Sequence, residues 1–100
     1  MVHKYKKGYI FELKTKKDWE QRGYAVVRSS GSHSPVDLIA MKDKSCIQIQ
    51  CKNMERKISR VEKQEITEWA NATGFPVLIM YKSDKVINEY ISPAHKGVRV

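Results

Sequence analysis

The residue best placed to carry chemistry is Asp37, the one charged side chain in the apolar run from Val36 to Met41. Burying a carboxylate in such a strand costs several kcal/mol unless it is paired or binds a cation. In the next strand, Gln50 and Lys52 are two residues apart and therefore share a face. Placed across from Asp37, they would gather an acid, an amide oxygen and an ammonium group around one point. That set is typical of a phosphodiesterase, in which the acid holds a divalent cation and the lysine orients a water or neutralises developing charge.

The elements that must position these groups follow from periodicity and from turn residues. A helix is expected from about Lys6 to Arg22, because good helix formers fill it and Gly23 can end it. A second helix begins at a capping box of Ser59 and Glu62 and stops at Gly74. A Ser/Gly-rich loop covers Ser29 to Pro35, and 42–45 form a turn. Strands are expected at Tyr24–Arg28, Val36–Met41, Cys46–Lys52, Val77–Tyr81 and Val86–Ile91.

This order predicts the α/β class: helix, three strands, helix, two strands, with a mixed central sheet and a helix on each side. The 100 residues form a single domain, 1–100, without repeats or a linker. No apolar run approaches the roughly 20 residues that span a bilayer, and no secretory signal is recognised. Cys46 and Cys51 are an odd number of residues apart in one strand, so a disulfide between them is not expected. We therefore expect a reduced, cytoplasmic protein with no membrane partner.

The charge balance favours a polyanionic partner. Nineteen Lys and Arg against eleven acids give a net charge of +8 and a pI near 9.6. Nucleic acid is the first class of partner that this excess suggests and an anionic membrane the second, while many small proteins are basic without such a partner. The basic residues form two clusters, which suit the phosphates of a large ligand. They are Lys4, Lys6, Lys7, Lys14, Lys16 and Lys17, and Lys52, Arg56, Lys57, Arg60 and Lys63.

The motifs carry a family resemblance. Pro35-Val36-Asp37 followed by Gln50-Cys51-Lys52 resembles the signature of the restriction-endonuclease-like superfamily, whose second half is an acid, any residue and a lysine. Within that superfamily the chain is most similar to the archaeal-type Holliday junction resolvases, over roughly Lys7 to Tyr81. The matching segments are Lys7-Gly8 before a helix that carries Glu12, the passage Arg22–Arg28, the loop Ser29–Ser32, the strand Val36–Ala40, and Gln64 on the next helix.

The resemblance implies a restriction-endonuclease-like fold and a homodimer whose two Mg²⁺-dependent centres make paired cuts in a four-way DNA junction, with Mn²⁺ able to substitute. It implies that Asp37, Glu12 and Gln50 are the metal ligands and that Lys52 is the partner of the catalytic base. Ser32, in the loop, would help to place the phosphate. Contacts to the DNA are expected from Lys4, Lys6, Lys7, Arg28, Ser30, His33, Arg56, Lys57 and Arg60.

The chain departs from the family at Gln50, where the family has glutamate. An amide oxygen can still bind Mg²⁺, but the site loses one negative charge, and hard cations are held mainly by carboxylate charge. Three interpretations stay open: a variant that still cleaves, a deliberate inactivating substitution, and a binding protein that has lost cleavage. Two rival functions also stay open, a plain duplex endonuclease or nickase and a non-catalytic DNA-binding module.

Each candidate residue also has a purely structural explanation. Glu12 could form a surface i,i+4 ion pair with Lys16. Asp37 could be a turn acid at the start of its strand, and Lys52 a solvated strand end. His33 could be a loop surface residue. Trp19 and Trp69 lie on apolar helix faces, where we expect them to pack rather than to stack on bases.

Overall fold

The computed structural model describes residues 3–29, 34–52, 58–82 and 86–93, with side chains described from residue 9 onward in the first helix. The two helices and five strands follow the predicted order of one helix, three strands, one helix and two strands. Helix α1 begins at His3, three residues earlier than predicted, and the strand boundaries agree with the prediction to within two residues. The elements are α1 (His3–Gln21), β1 (Ala25–Arg28), β2 (Leu38–Lys42), β3 (Ser45–Lys52), α2 (Arg60–Thr73), β4 (Val77–Lys82) and β5 (Val86–Ile91).

The five strands form one mixed sheet in the order β1-β2-β3-β4-β5. All neighbouring pairs are antiparallel except β3 and β4, which are parallel and joined through α2. The β2–β3 hairpin turns at Asp43 and Lys44, whose φ angles are 49° and 70°. Two consecutive positive φ angles are what a two-residue hairpin turn needs to follow the twist of its strands. This tight turn sets the register that brings Asp37 opposite Gln50.

The two helices cover opposite faces of the sheet, as predicted. Alternate residues of β4 show this most clearly, since Val77 and Ile79 pack with Ile66 of α2. Leu78, between them, packs with Trp19 of α1 on the other side. Each face therefore has its own apolar cluster, and the sheet is the shared layer between them.

Helix α2 is held at both ends by local contacts that the sequence predicts. The Ser59 hydroxyl accepts from the Glu62 N–H at 3.1 Å, and the Ser59 N–H donates to Glu62 Oε1 at 3.0 Å, which completes the capping box. At the other end Gly74 adopts a left-handed conformation, φ 79°, and its N–H donates to the Ala70 carbonyl at 2.9 Å. These caps fix both ends of α2. Its first turn lies close to the end of β3.

The polar face of β3 is covered by α2 rather than by water. Gln48 is only 3% exposed, and its Oε1 accepts from Trp69 Nε1 at 2.5 Å. Its Nε2 donates to Thr73 Oγ1 at 3.0 Å. This buried network locks α2 onto the face of β3 that also carries Gln50 and Lys52.

Three further expectations can be compared with the structure, and they concern the tryptophans, the cysteines and the apolar character of the helices. Trp19 is buried and Trp69 is packed against the α2-side cluster, as predicted. Cys46 and Cys51 are both free, also as predicted. Within the described residues, neither helix combines the length and the apolar character needed to cross a membrane.

Candidate active site

Asp37 lies immediately before β2 and is held in place by two hydrogen bonds to β3. Its N–H donates to the Ile49 carbonyl at 2.8 Å, and its Oδ2 accepts from the Cys51 N–H, also at 2.8 Å. Because Leu38 pairs with Ile49, these two bonds bracket Gln50 and set Asp37 directly across from it. The predicted juxtaposition of Asp37 with the Gln-x-Lys segment is therefore present, with Asp37 immediately before the first residue of β2.

The side-chain amide of Gln50 lies against the Pro35 carbonyl and Asp37 Oδ2, and these two acceptors assign its nitrogen to that side. In the orientation that satisfies its neighbours, this nitrogen donates to the Pro35 carbonyl at 2.6 Å and to Asp37 Oδ2 at 3.3 Å. A cation bound at Asp37 would need the amide oxygen on that side instead. Rotation of the Gln50 amide is thus a condition for Gln50 to act as a metal ligand.

Lys52 lies on the same face of β3 and is not a solvated strand end. Its side chain is 18% exposed, and its Nζ donates to Glu62 Oε2 at 2.8 Å. The sequence identifies Glu62 only as the capping-box residue of α2. Nothing in the ten-residue spacing from Lys52 points to the contact, which exists because β3 and the start of α2 are adjacent in the folded chain.

Glu12 approaches from the α1 side and is paired with Arg28. Arg28 Nε donates to Glu12 Oε2 at 2.8 Å, and the guanidinium lies 5.0 Å from the centre of the Tyr9 ring. The alternative partner, Lys16, pairs with Glu20 instead at 2.7 Å. Arg28, expected to bind DNA, is thus part of the site itself and balances one of its acids.

The charges around Asp37 act on it in opposite directions. Burial raises the pKa of Asp37 above its ordinary value of 3.8, the hydrogen bond from the Cys51 N–H lowers it, and the Glu12 carboxylate raises it again. The cations of Lys52 and Arg28 lower it. A buried carboxyl whose ionised form is disfavoured gains most from a cation, because the cation removes the cost of the buried charge.

Cys51, the residue between Gln50 and Lys52, contributes no charge. Burial raises the pKa of its thiol to about 12, and the Asp37 carboxylate adds to the rise, while a hydrogen bond with Thr15 opposes it. The thiol therefore stays protonated at neutral pH. It is neither an anionic metal ligand nor a nucleophile in this state.

The donor chemistry of the site suits a hard cation. Asp37, Glu12 and Gln50 all offer oxygen, the ligand atom that Mg²⁺ prefers. Among the residues that the structure describes, no three His, Cys, Asp or Glu side chains are grouped closely enough to hold a metal ion. The amide at position 50 is one reason, since it removes a carboxylate from beside Asp37.

The segment between β1 and β2 is tied to the site at both described ends. The Ser29 N–H donates to the Asp37 carbonyl at 2.9 Å, and the Ser29 hydroxyl donates to the Val36 carbonyl. Ser34 Oγ donates to the same carbonyl at 3.2 Å. Both ends of the predicted phosphate-binding loop therefore lie beside Asp37.

The other predicted DNA contacts lie at the start of α2, in the first turns of α1 and outside the described residues. Arg60 is exposed at the first turn of α2. Three of the lysines belong to α1, with side chains outside the description: Lys4, Lys6 and Lys7. The predicted contacts that lie outside the described residues are Ser30, Ser32, His33, Arg56 and Lys57.

Comparison with known proteins agrees with this architecture. The family described as archaeal Holliday junction resolvase (Hjc) matches residues 3–96. A crossover junction endodeoxyribonuclease Hjc of Methanocaldococcus jannaschii is 39% identical over 66 residues, which are 66% of this chain and 49% of that protein. The match thus spans about half the length of this curated relative.

The fold is shared with a solved structure. Hjc of Archaeoglobus fulgidus, a Holliday junction resolvase, superimposes with a TM-score of 0.68 at 20% identity, over 86% of this chain and 72% of that one. At this identity the likeness shows the fold, while the family match over nearly the whole chain shows the kinship. The chain therefore belongs to the archaeal Holliday junction resolvase family.

Proposed function

We propose that this chain is a metal-dependent endodeoxyribonuclease that cuts four-way DNA junctions. The observation that carries the proposal is the bracketing of Gln50 by Asp37, with Lys52 on the same face of β3. Family membership and the name of the Methanocaldococcus relative, a crossover junction endodeoxyribonuclease, support junction DNA as the substrate.

Asp37, Glu12 and the Gln50 amide oxygen would hold the metal ion, for which Mg²⁺ is the best match to an all-oxygen donor set. A cation there would polarise the scissile phosphate and acidify a water molecule. Asp37 is already fixed by the Cys51 N–H, so its carboxylate needs no reorganisation to receive the cation. Glu12 would have to share its negative charge between the cation and Arg28.

Lys52 supplies the positive charge beside the reacting phosphate. Its ammonium group would orient the attacking water and neutralise the charge that develops on the phosphate oxygens. Its partly buried position strengthens that interaction, because fewer water molecules screen it. Ser32, from the loop tied down beside Asp37, would help to hold the backbone phosphate.

Two such centres are needed to cut opposing strands, so we propose that the chain acts as a homodimer on branched DNA. The net charge of +8 supplies the attraction to phosphates, and binding should weaken as salt increases. The contacts would come from the N-terminal lysines Lys4, Lys6 and Lys7 and from the basic group of Arg56, Lys57 and Arg60.

One observation favours a second candidate, a junction-binding protein that does not cleave. With its nitrogen assigned to the Asp37 side, the Gln50 amide is hydrogen-bonded to the carboxylate and does not offer an oxygen to a cation beside it. This candidate predicts that binding to the junction is indifferent to chelator and to Lys52→Ala.

Cleavage of a labelled four-way junction, beside its linear arms, tests the proposal. The chain should cut the junction and leave the arms intact, in the presence of Mg²⁺ or Mn²⁺ and not in chelator. Asp37→Asn should abolish cutting, and Lys52→Ala should slow it about 10²–10⁴-fold, while binding persists in both. Equal cutting of junction and arms would point to a plain duplex endonuclease. Metal-independent binding without cutting, by the chain and by Gln50→Glu, would point to the non-catalytic candidate.

A further inference from the structure

We propose that Glu62, at the start of α2, is a positioning residue that holds Lys52 in the geometry needed for cleavage. Its part in cleavage rests on the proposed function, whereas its hold on Lys52 does not. The observation is the ion pair between Lys52 Nζ and Glu62 Oε2 at 2.8 Å, formed across the junction of β3 and α2.

The two oxygens of Glu62 have separate tasks. Oε1 accepts from the Ser59 N–H at 3.0 Å and closes the capping box, and Oε2 accepts from Lys52. The carboxylate is thus fixed by the helix cap before it meets the lysine. An acceptor that is already immobilised restricts the rotamers of a long side chain more than a free surface acid would.

Capping alone does not explain a glutamate at this position. A glutamine closes a capping box equally well, since only one oxygen is needed. It has a single acceptor oxygen and no charge, however, so it cannot give Ser59 and Lys52 a separate oxygen each, and it cannot form an ion pair with Lys52. The chain therefore uses the second oxygen, and the charge, for Lys52.

The charge of Glu62 is present throughout the neutral range. The hydrogen bond from Lys52 lowers the pKa of Glu62, and the Ser59 N–H lowers it further. Position 50, on the same face of β3 as Lys52, is a glutamine and carries no charge. Lys52 therefore takes its fixed anionic neighbour from α2.

A matched pair of substitutions separates positioning from general effects of charge or stability. Glu62→Gln removes one carboxylate from a 2.8 Å ion pair on α2. Glu89→Gln does the same at the Lys63–Glu89 pair, also 2.8 Å, and raises the net charge equally. Ser59→Ala removes the capping hydroxyl and leaves the Glu62 carboxylate and the Ser59 N–H in place.

Glu62→Gln should slow single-turnover cleavage of the junction about 10-fold or more, the usual effect of removing a supporting partner. The dissociation constant for the junction should stay within about twofold of the unaltered chain, because both Glu→Gln variants attract phosphates alike. Glu89→Gln and Ser59→Ala should cleave at the unaltered rate. Equal rates in Glu62→Gln and Glu89→Gln, or a faster Glu62→Gln, would overturn the proposal.

A second readout does not depend on cleavage. The ¹H–¹⁵N signal of the Lys52 ammonium group, recorded at one fixed pH without DNA or metal, should be visible in the unaltered chain and in Glu89→Gln. It should broaden in Glu62→Gln and in Glu62→Ala, since an unpaired ammonium exchanges its protons quickly. If the unaltered chain never cuts, the proposed function fails and this signal still tests the hold of Glu62 on Lys52. An unchanged signal in both Glu62 variants would refute that hold.

Discussion

Replacing Gln50 with glutamate should destabilise the metal-free protein, and metal should reverse the loss. The Gln50 amide nitrogen donates to the Pro35 carbonyl at 2.6 Å and to Asp37 Oδ2 at 3.3 Å. Gln50→Glu removes both hydrogen bonds and sets a second carboxylate beside a first whose pKa burial already raises. The substitution is nearly isosteric, so charge and hydrogen bonding change while packing does not.

The magnitude follows from three terms. Each lost hydrogen bond is worth about 1 kcal/mol. Two like charges about 4 Å apart repel by about 4 kcal/mol at an effective dielectric constant near 20. Protonation limits that repulsion, because placing a proton on Asp37 at pH 7 costs at most about 4 kcal/mol from its ordinary pKa of 3.8, and less once the pKa is raised. The two hydrogen bonds and a repulsion of up to that size give a loss of about 2–6 kcal/mol in the free energy of unfolding.

Urea unfolding in chelator near pH 7, followed by tryptophan fluorescence, measures this loss. It should shrink toward pH 4, because a native state that keeps a proton loses stability as the pH rises. Adding Mg²⁺ should stabilise Gln50→Glu more than the unaltered chain, since two carboxylates bind the cation more tightly. Gln64→Glu is the control, with the same added charge on the exposed face of α2 beside Glu68, and should cost about 0.5 kcal/mol or less. A Gln50→Glu variant as stable as the unaltered chain in chelator would refute the reasoning.

Three other perturbations have defined outcomes. Asp37→Asn removes a carboxyl whose pKa burial raises, so it should increase the free energy of unfolding near pH 7 and flatten the decline of stability above pH 4. Urea unfolding at several pH values measures both effects, and an unaltered pH profile would contradict the reasoning. Lys52→Ala should lower the single-turnover cleavage rate about 10²–10⁴-fold and leave the affinity for the junction nearly unaltered. If the cleavage rate and the affinity fell in proportion, Lys52 would be assigned to binding alone. Gln48→Ala removes the buried partner of the Trp69 indole N–H and the Thr73 hydroxyl. Thermal or urea unfolding should report that the free energy of unfolding falls by about 2–4 kcal/mol, and a fall below about 0.5 kcal/mol would show that the network is not important to the fold.

The local patterns of this chain predict its elements well. The Ser59–Glu62 capping box and Gly74 define α2, and the period-two alternation of β3 separates Ile49 from Gln50 correctly. These features depend on residues that are close together in the sequence, so they can be predicted without knowledge of the fold. The predicted 42–45 turn adds the meeting of Asp37 with Gln50, whereas the strand order within the sheet comes from the structure.

The partners of the charged residues are not predictable in the same way. Glu12 has a possible partner four residues away in Lys16. It pairs instead with Arg28, 16 residues away, because α1 packs against β1. Glu62 has a complete local explanation as a cap, which conceals its contact with Lys52. Gln48 alternates with apolar residues as a solvated side chain would, although α2 buries it. In each case the deciding contact comes from the packing of a helix on the sheet.

The assignment of Asp37, Gln50 and Lys52 to a phosphodiester-cleaving centre is tested most directly by product mapping on a strand-labelled four-way junction with Mg²⁺. The unaltered chain and Gln50→Glu are compared under single-turnover conditions. Both should give paired cuts on opposing strands near the crossing point, with Gln50→Glu the faster because its site holds the cation with one more negative charge. If both proteins bind the junction and neither cuts it, these three residues are not a nuclease centre.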